Sequence, residues 1–157
     1  MKTILKILIK SNFSPTHDIG AVGSLRRIKN AMSVARRVLE NTEHTFLVGD
    51  LATNFAIQMG FKEESLASNW SKDSWIKWRQ NKCQPNYWRN VEPNPKQFCG
   101  PYKPTQILTK VEKLNLVDSQ NHDTIGMVAI DSEGRLAVGT STNGMIHKIP
   151  GFVSVFS

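Results

Sequence analysis

Cysteine is scarce in this sequence of 157 residues, which has two, Cys83 and Cys99. Two cysteines are too few for a small domain built on several disulfides, so that class is excluded. Long hydrophobic runs are also missing, and no stretch reaches the ~18 apolar residues that a membrane helix needs. The four histidines are scattered without zinc-like spacing. We therefore expect no membrane association, no metal and no other cofactor.

Acidic residues are outnumbered, with 13 Asp and Glu against 20 Lys and Arg, which gives a net charge of +7. A basic chain with four tryptophans suggests a nucleic-acid binder as one hypothesis. However, the basic residues of the first predicted helix have no aromatic residues between them, which favours a solvated face. We also favour core or dimer packing for the tryptophans over a surface that stacks on bases or sugars. Nucleic acid is therefore not expected as a partner. The four tryptophans are Trp70, Trp75, Trp78 and Trp88.

Hydrophobic residues make up 39% of the chain, enough for the packed core of a single domain. Residues 24–40 are predicted to form an amphipathic helix, capped by Ser24. Residues 45–48 are predicted to form a short buried strand. A second helix over 51–59 would follow, with Leu51, Phe55 and Met59 on one face, and a third would run from 71 to about 80. This alternation predicts an α/β arrangement.

The first ten residues resemble the apolar part of a signal peptide only faintly. Lys6 interrupts the apolar stretch and Lys10 ends it. The stretch is therefore shorter than the ~7–15 residues expected of such a segment. The pattern assigns no structure to residues 1–16.

A β-hairpin is predicted near the C-terminal end. Residues 124–130 are apolar on both faces, as expected for a fully buried strand, and 131–134 form a turn in which Gly134 can take a positive φ. The returning strand starts near residue 135. One register places Thr124 opposite Ser141, and the other places it opposite Thr142. The sequence leaves both open.

Two motifs on this hairpin resemble the processing region of the glycosylasparaginases, a family of N-terminal nucleophile hydrolases. They are His-Asp-Thr-Ile-Gly-Met-Val at 122–128 and Gly-Thr-Ser-Thr-Asn-Gly at 139–144. The resemblance also covers 18–31 and 81–104, and it extends in all from 18 to 151. It implies that a precursor cleaves itself between Asp123 and Thr124. An aspartate before the threonine favours this branch over the plant-type asparaginases, which usually have glycine there.

The resemblance also implies an architecture. The fold would be a fragment of a four-layer αββα sandwich, of mixed α/β (α+β) class. Residues 18–123 would be the C-terminal part of the first subunit and 124–151 the start of the second, with 1–17 and 152–157 unmatched. The family's subunits form an α/β heterotetramer in the lysosome, and a Cys83–Cys99 disulfide is implied. The alternative is a cytoplasmic chain with two free thiols, because the first ten residues are not a clear signal peptide.

The implied chemistry rests on four residues. Thr124 would be the nucleophile of self-cleavage and then of catalysis, since its freed α-amine, with a pKa of about 7.7–8.0, can act as its general base. Thr142 would hydrogen-bond to Thr124, Asp123 would be the local base for self-cleavage, and His122 would orient it. The implied substrate is asparagine N-linked to N-acetylglucosamine.

The chain departs from the family after Gly151. Phe152 and Val155 replace the arginine and aspartate that would bind the α-carboxylate and α-amino groups of the substrate. We therefore expect impaired activity from a chain that is truncated relative to the family. The 124–142 hairpin should also lack a neighbour on at least one edge. The alternative function is a non-catalytic fragment or splice form that pairs with the intact enzyme.

Overall fold

A computed structural model describes residues 5–11, 17–82, 87–105 and 122–149. They divide into two compact units. The first contains the described residues up to 66 together with 122–144, and the second contains those from 67 to 105 together with 145–149. The predicted alternation of helices and strands is confirmed, so the chain is of the α/β class.

The first unit is built on a five-stranded sheet, with strand order β3-β2-β1-β7-β6. β1 is antiparallel to both of its neighbours, and β3 runs parallel to β2. The strands are β1 (Leu5–Ser11), β2 (His17–Gly23), β3 (Phe46–Val48), β6 (His122–Ile130) and β7 (Leu136–Met145). Residues 5–11, to which the sequence assigned no structure, thus form the central strand.

The first helix begins later than predicted. It is α1, Ala31–Asn41, whereas the sequence indicated a start at Ser24. Ser24 and Arg27 have φ values of 54° and 56°, which an α-helix does not accommodate. The hydrophobic core includes Leu25 and Ile28 from the segment before the helix, and it also contains Val22, Ala31, Val34, Ala35, Val38, Ala52 and Ala56.

Strand β2 lies very close to α1 at Gly20. A Cβ atom on Gly20 would lie 2.3 Å from the carbonyl oxygen of Ala35 and 2.7 Å from Cβ of Leu39. Only glycine therefore allows this separation between the sheet and the helix.

The second helix, α2 (Gly49–Gln58), turns an unexpected face to the core. Of the predicted apolar face, Phe55 packs against the core but Leu51 is 79% exposed. The residues that the helix buries are Ala52, Thr53 and Ala56. The hydroxyl of Thr53 accepts a 3.0 Å hydrogen bond from the amide of Arg26. Small residues and this bond bring α2 against the segment before α1. β3 is also less buried than predicted, since Phe46 and Val48 are exposed.

The second unit contains α3 (Asn69–Gln80) and a short antiparallel pair, β4 (Val91–Glu92) and β5 (Lys103–Pro104). Ser68 and Ser71 form a reciprocal capping box at the start of α3. None of the four tryptophans is buried in this unit, and their packing in a dimer stays a prediction. Trp70 and Trp75 are exposed, and Trp78 stacks on His147 with ring centroids 4.6 Å apart. In the part of the chain described, no helix is both long and apolar enough to cross a membrane.

Candidate functional site

The turn of the hairpin fixes the register of β6 on β7. The amide of Asp131 donates to the carbonyl of Arg135 (3.1 Å), and the amide of Gly134 donates to the carbonyl of Asp131 (3.0 Å). Gly134 has φ +77°, as a three-residue loop with a bulge requires. Asp131 therefore pairs with Arg135. Thr124 lies seven residues before Asp131 and Thr142 lies seven residues after Arg135, so the two threonines are opposite each other. The structure therefore has the second of the two predicted registers.

The Asp131 side chain reinforces this turn. Its carboxylate accepts 2.9 Å hydrogen bonds from the amides of Glu133 and Arg135, and it lies 2.6 Å from Nε of Arg135. The pKa of Asp131 is lower than its ordinary value of 3.8, and the largest cause is the hydrogen bond from the Arg135 side chain. The turn that sets the register is thus held by both backbone and side chain.

Three oxygen atoms converge where β6 begins. Oγ1 of Thr142 lies 2.6 Å from the carbonyl oxygen of Asp123 and 3.0 Å from Oγ1 of Thr124. Oγ1 of Thr124 is itself 2.8 Å from the same carbonyl oxygen. The structure therefore brings together Thr124, which is the predicted nucleophile, its predicted hydroxyl partner Thr142 and the carbonyl group of Asp123.

The hydrogen-bond partners of Thr142 determine which group its hydroxyl donates to. A hydroxyl has one proton to donate and two lone pairs to accept with. The amide of Gly144 donates to Oγ1 of Thr142 at 2.8 Å. With this amide and the Thr124 hydroxyl as donors, Thr142 has its own proton left for the Asp123 carbonyl, which is its shortest contact. Thr142 can therefore accept a hydrogen bond from the Thr124 hydroxyl and donate one to the Asp123 carbonyl at the same time.

Two backbone amides of β7 at this site were not anticipated from the sequence. They belong to Gly144, whose φ is +67°, and to Asn143, which donates a 3.0 Å hydrogen bond to Oδ1 of Asp123. The Asn143 contact fixes the Asp123 side chain on β7. The Asn-Gly pair directly after Thr142 is the sequence signal for such a turn of the backbone.

Exposure differs sharply across the site. Thr142 is 9% exposed, whereas Asp123 and Thr124 are exposed. The prediction of a fully buried strand over 124–130 was wrong, since Ile125, Met127, Val128 and Ile130 are each more than 60% exposed. β6 lies at the end of the strand order, so among the described strands it has one neighbour.

Several predicted site residues lie beyond what can be placed. The side chain of His122 and the residues Cys83, Phe152 and Val155 are outside the described part of the chain. Cys99 is disulfide-bonded, and its pairing with Cys83 stays a prediction. Across residues 18–82, 87–105 and 123–149, no three His, Cys, Asp or Glu side chains are grouped as a metal would require.

The chain is similar to curated proteins over most of its length. It is 57% identical over 137 residues to the rat protein named N(4)-(Beta-N-acetylglucosaminyl)-L-asparaginase and 57% identical over 138 residues to the mouse protein of that name. It is 55% identical over 144 residues to a Drosophila melanogaster protein with the same name prefixed "Putative". These matches cover 87%, 87% and 88% of this chain.

The matches cover a smaller share of the relatives. The chain spans 40% of the length of the rat and mouse proteins and 37% of the fly protein. The family model described as Asparaginase matches residues 14–155, which include both strands of the hairpin. This confirms the resemblance found in the sequence, and the chain belongs to the asparaginase family.

Proposed function

We propose that this chain carries the self-cleavage site and the nucleophile of an N(4)-(beta-N-acetylglucosaminyl)-L-asparaginase. Such an enzyme hydrolyses the amide that joins asparagine to N-acetylglucosamine, the activity named in its relatives. The observation that carries the proposal is the Thr142 hydroxyl, which contacts both the Thr124 hydroxyl and the Asp123 carbonyl.

Self-cleavage begins with attack by Oγ1 of Thr124 on the carbonyl carbon of Asp123. The hydroxyl proton leaves the oxygen and is delivered to the departing backbone nitrogen, and the C–N bond breaks as the ester forms. Water then hydrolyses the ester, so that the chain ends at Asp123 and a new chain begins at Thr124. The 2.8 Å hydrogen bond from the Thr124 hydroxyl to the carbonyl oxygen of Asp123 supports this proposal, because it holds the hydroxyl beside the group that it would attack.

Thr142 is placed to stabilise the charge that develops during this attack. The carbonyl oxygen of Asp123 becomes negative in the tetrahedral intermediate, and the Thr142 hydroxyl already donates to it at 2.6 Å. One such donor is worth roughly 100- to 1,000-fold in rate. The Gly144 amide occupies a lone pair of the Thr142 oxygen, which keeps the proton directed at the carbonyl.

Asp123 and His122 complete the proposed processing site. The Asp123 carboxylate would act as the local base for Thr124, and its bond to the Asn143 amide supports this role by limiting the positions it can take. His122 would orient that carboxylate, and it directly precedes Asp123 in the strand.

After cleavage, Thr124 would combine nucleophile and base. Its new α-amine has an ordinary pKa of about 7.7–8.0 and can take the proton of the Thr124 hydroxyl. The hydroxyl attacks the side-chain amide of the substrate, the glycosylamine leaves, and water hydrolyses the aspartyl ester. Because Thr124 is β-branched, χ1 is restricted and Oγ1 has few orientations.

Substrate binding is the step in which this chain would be weak. The residues Phe152 and Val155 stand where the family binds the two charged groups of the substrate. Loss of one partner from a buried charge pair costs about 2–5 kcal/mol of binding free energy. We propose that the chain cleaves itself and hydrolyses its substrate slowly.

The wider setting follows the same family. We propose a fragment of a four-layer αββα sandwich, a Cys83–Cys99 disulfide, assembly of the cleaved subunits into a heterotetramer, and a role in lysosomal glycoprotein degradation. The mixed sheet with α1 and α2, the disulfide-bonded state of Cys99 and the names of the relatives support these proposals.

The edge strand favours a second candidate function, in which the chain pairs with an intact relative. β6 exposes four apolar side chains and its outer edge, an arrangement that recruits another strand. Co-purification with the mouse relative, abolished by Ile125→Lys on β6, would support this function. Failure to recover the chain at micromolar concentration would exclude it.

Mass spectrometry of the purified chain tests the primary proposal. Two products split between Asp123 and Thr124 are expected, together with an unsplit Thr124→Ala variant. Thr124→Ser retains a hydroxyl nucleophile and should cleave. An unsplit Thr124→Ser variant, or cleavage of Thr124→Ala at the same bond, would refute the proposed chemistry.

A further inference from the structure

The strand beside the candidate site is formed by residues that precede the family match. β1 spans Leu5–Ser11, and the match begins at residue 14. On one edge β1 pairs with β7, with Leu5 opposite Thr142 and Lys6 opposite Ser141. On the other edge it pairs with β2, with Lys6 opposite Val22. The backbone of β1 therefore connects Thr142 to the strand that carries the core residue Val22.

The hairpin needs this connection because little of it is buried. The apolar residues of β6 from Ile125 to Ile130 are exposed, and the core residues of the first unit come from β2, α1, α2 and the segment before α1. Among the described strands, β7 has two neighbours, β1 and β6. The ladder between β1 and β7 is therefore the route by which the core restrains the hairpin.

The site requires a restraint at this end of β7. Among the described residues, Thr142 lies opposite Leu5, in the pair of the ladder farthest from the hairpin turn. Rate depends steeply on the position of a catalytic group, and an error of about 1 Å can cost about 100-fold. A looser ladder at Lys6 would release Thr142 from its 2.6 Å contact with the Asp123 carbonyl.

We propose that β1 is a positioning strand for self-cleavage, and that its backbone pairing with β7 near Thr142 holds the Thr142 hydroxyl on the Asp123 carbonyl. This proposal rests on the proposed function. It assigns to residues 5–11 a role in the rate of cleavage that does not depend on their side chains.

Proline substitutions in the full-length chain test the role of this backbone. Proline removes an amide donor from the ladder. Lys6→Pro and Lys10→Pro are a matched pair, because both replace a lysine. The two positions are an even number of residues apart, so both backbone amides point to the same neighbouring strand. Lys6 is one pair away from Thr142, and Lys10, opposite Ala137, is five pairs away. Ile7→Pro and Ile9→Pro are a second matched pair, and the amides that they remove point to the strand on the other side of β1.

Two measurements are made on each variant, namely hydrogen exchange of the β7 and β2 amides and the rate of cleavage before Thr124. Faster exchange in β7 identifies the pair of variants that loses amide donors to β7. In that pair, the variant nearer Thr142 should cleave at least tenfold more slowly than the unsubstituted chain. The variant farther away should stay within threefold. Equal rates in that pair, or β7 exchange unchanged in all four variants, would overturn the proposal.

Two controls separate the possible failures. Exchange of the α1 amides reports whether a variant is folded. If a proline variant is unfolded, Lys6→Gly and Lys10→Gly are compared instead, and Lys6→Gly should again cleave more slowly than Lys10→Gly. An unsubstituted chain that does not cleave would contradict the proposed function. The exchange of β7 would then still decide whether β1 restrains the end of β7 at Thr142.

Discussion

The hydroxyl of Thr142 lies 2.6 Å from the carbonyl oxygen of Asp123, although nineteen positions separate the two residues. The turn at Asp131 and Gly134 produces this contact by setting the register of β6 on β7. The contact places a hydrogen-bond donor on the oxygen that would carry negative charge during attack by Thr124.

Removal of the Thr142 hydroxyl should slow self-cleavage. Thr142→Val keeps the size and branching of the side chain but loses the donor to the Asp123 carbonyl. We expect a rate roughly 100- to 1,000-fold lower, measured from the appearance of the fragment that begins at Thr124. Thr140→Val is the matched control, because the Thr140 hydroxyl bonds to the carbonyl of Ile125 instead. Equal rates for the two variants would contradict the role of Thr142.

A methyl group at Gly20 should destabilise the first unit. Gly20→Ala would force β2 away from the backbone of Ala35, and overpacking of this kind costs about 1–3 kcal/mol of unfolding free energy. Gly126→Ala on β6 is the control, since no atom lies within 4 Å of the added methyl. Urea denaturation followed by circular dichroism measures both. Equal midpoints would show that β2 and α1 are not as close as described.

Loss of the Arg135 side chain should raise the pKa of Asp131. Its hydrogen bond is the largest cause of the lowered value, and Arg135→Gln removes the charge. A carboxyl group with a lowered pKa stabilises the fold above its unfolded value of 3.8, and this contribution is lost as the pH falls through the folded pKa. The variant should therefore lose less stability on acidification below about pH 4. NMR titration of the Asp131 carboxyl carbon reports the pKa, and an unchanged value would refute the assignment.

His147 should make the second unit less stable in acid. Burial beside Trp78 lowers the pKa of His147 from its ordinary value of 6.5, so the folded unit binds a proton less readily than the unfolded chain. Stability should fall as the pH decreases through 6.5, until the folded pKa is passed. His147→Phe keeps a stacking ring and should flatten this dependence, whereas substitution of the exposed His44 by Gln should not. Tryptophan fluorescence during unfolding at pH 7 and pH 5.5 gives the comparison, and equal pH slopes for the parent chain and His147→Phe would contradict it.

The sequence predicted the hairpin and the α/β class, because both depend on local patterns. Thr124 and Thr142 were singled out by the resemblance to a family, and their roles stay predictions. Alternative registers remained open because either is compatible with the apolar residues. The bonds of Asp131 and Gly134, which sequence spacing does not specify, determine the register.

The errors arose where tertiary contacts override local pattern. Residues 24–30 have helical periodicity, but positive φ values at Ser24 and Arg27 make them a packed loop. α2 turns Ala52, Thr53 and Ala56 to the core, whereas the larger Leu51 is exposed. The role of residues 5–11 could not be predicted either, since a central strand is defined by pairing with β2 and β7, which are distant in the sequence.

Self-cleavage can be followed directly through the intact mass of the purified chain, 17.7 kDa before cleavage, measured over time together with N-terminal sequencing. We expect a fragment that begins Thr-Ile-Gly-Met at Thr124, which forms slowly in Thr142→Val and not at all in Thr124→Ala. A parent chain that stays intact, while hydrogen exchange shows the β6–β7 hairpin to be formed, would contradict this expectation.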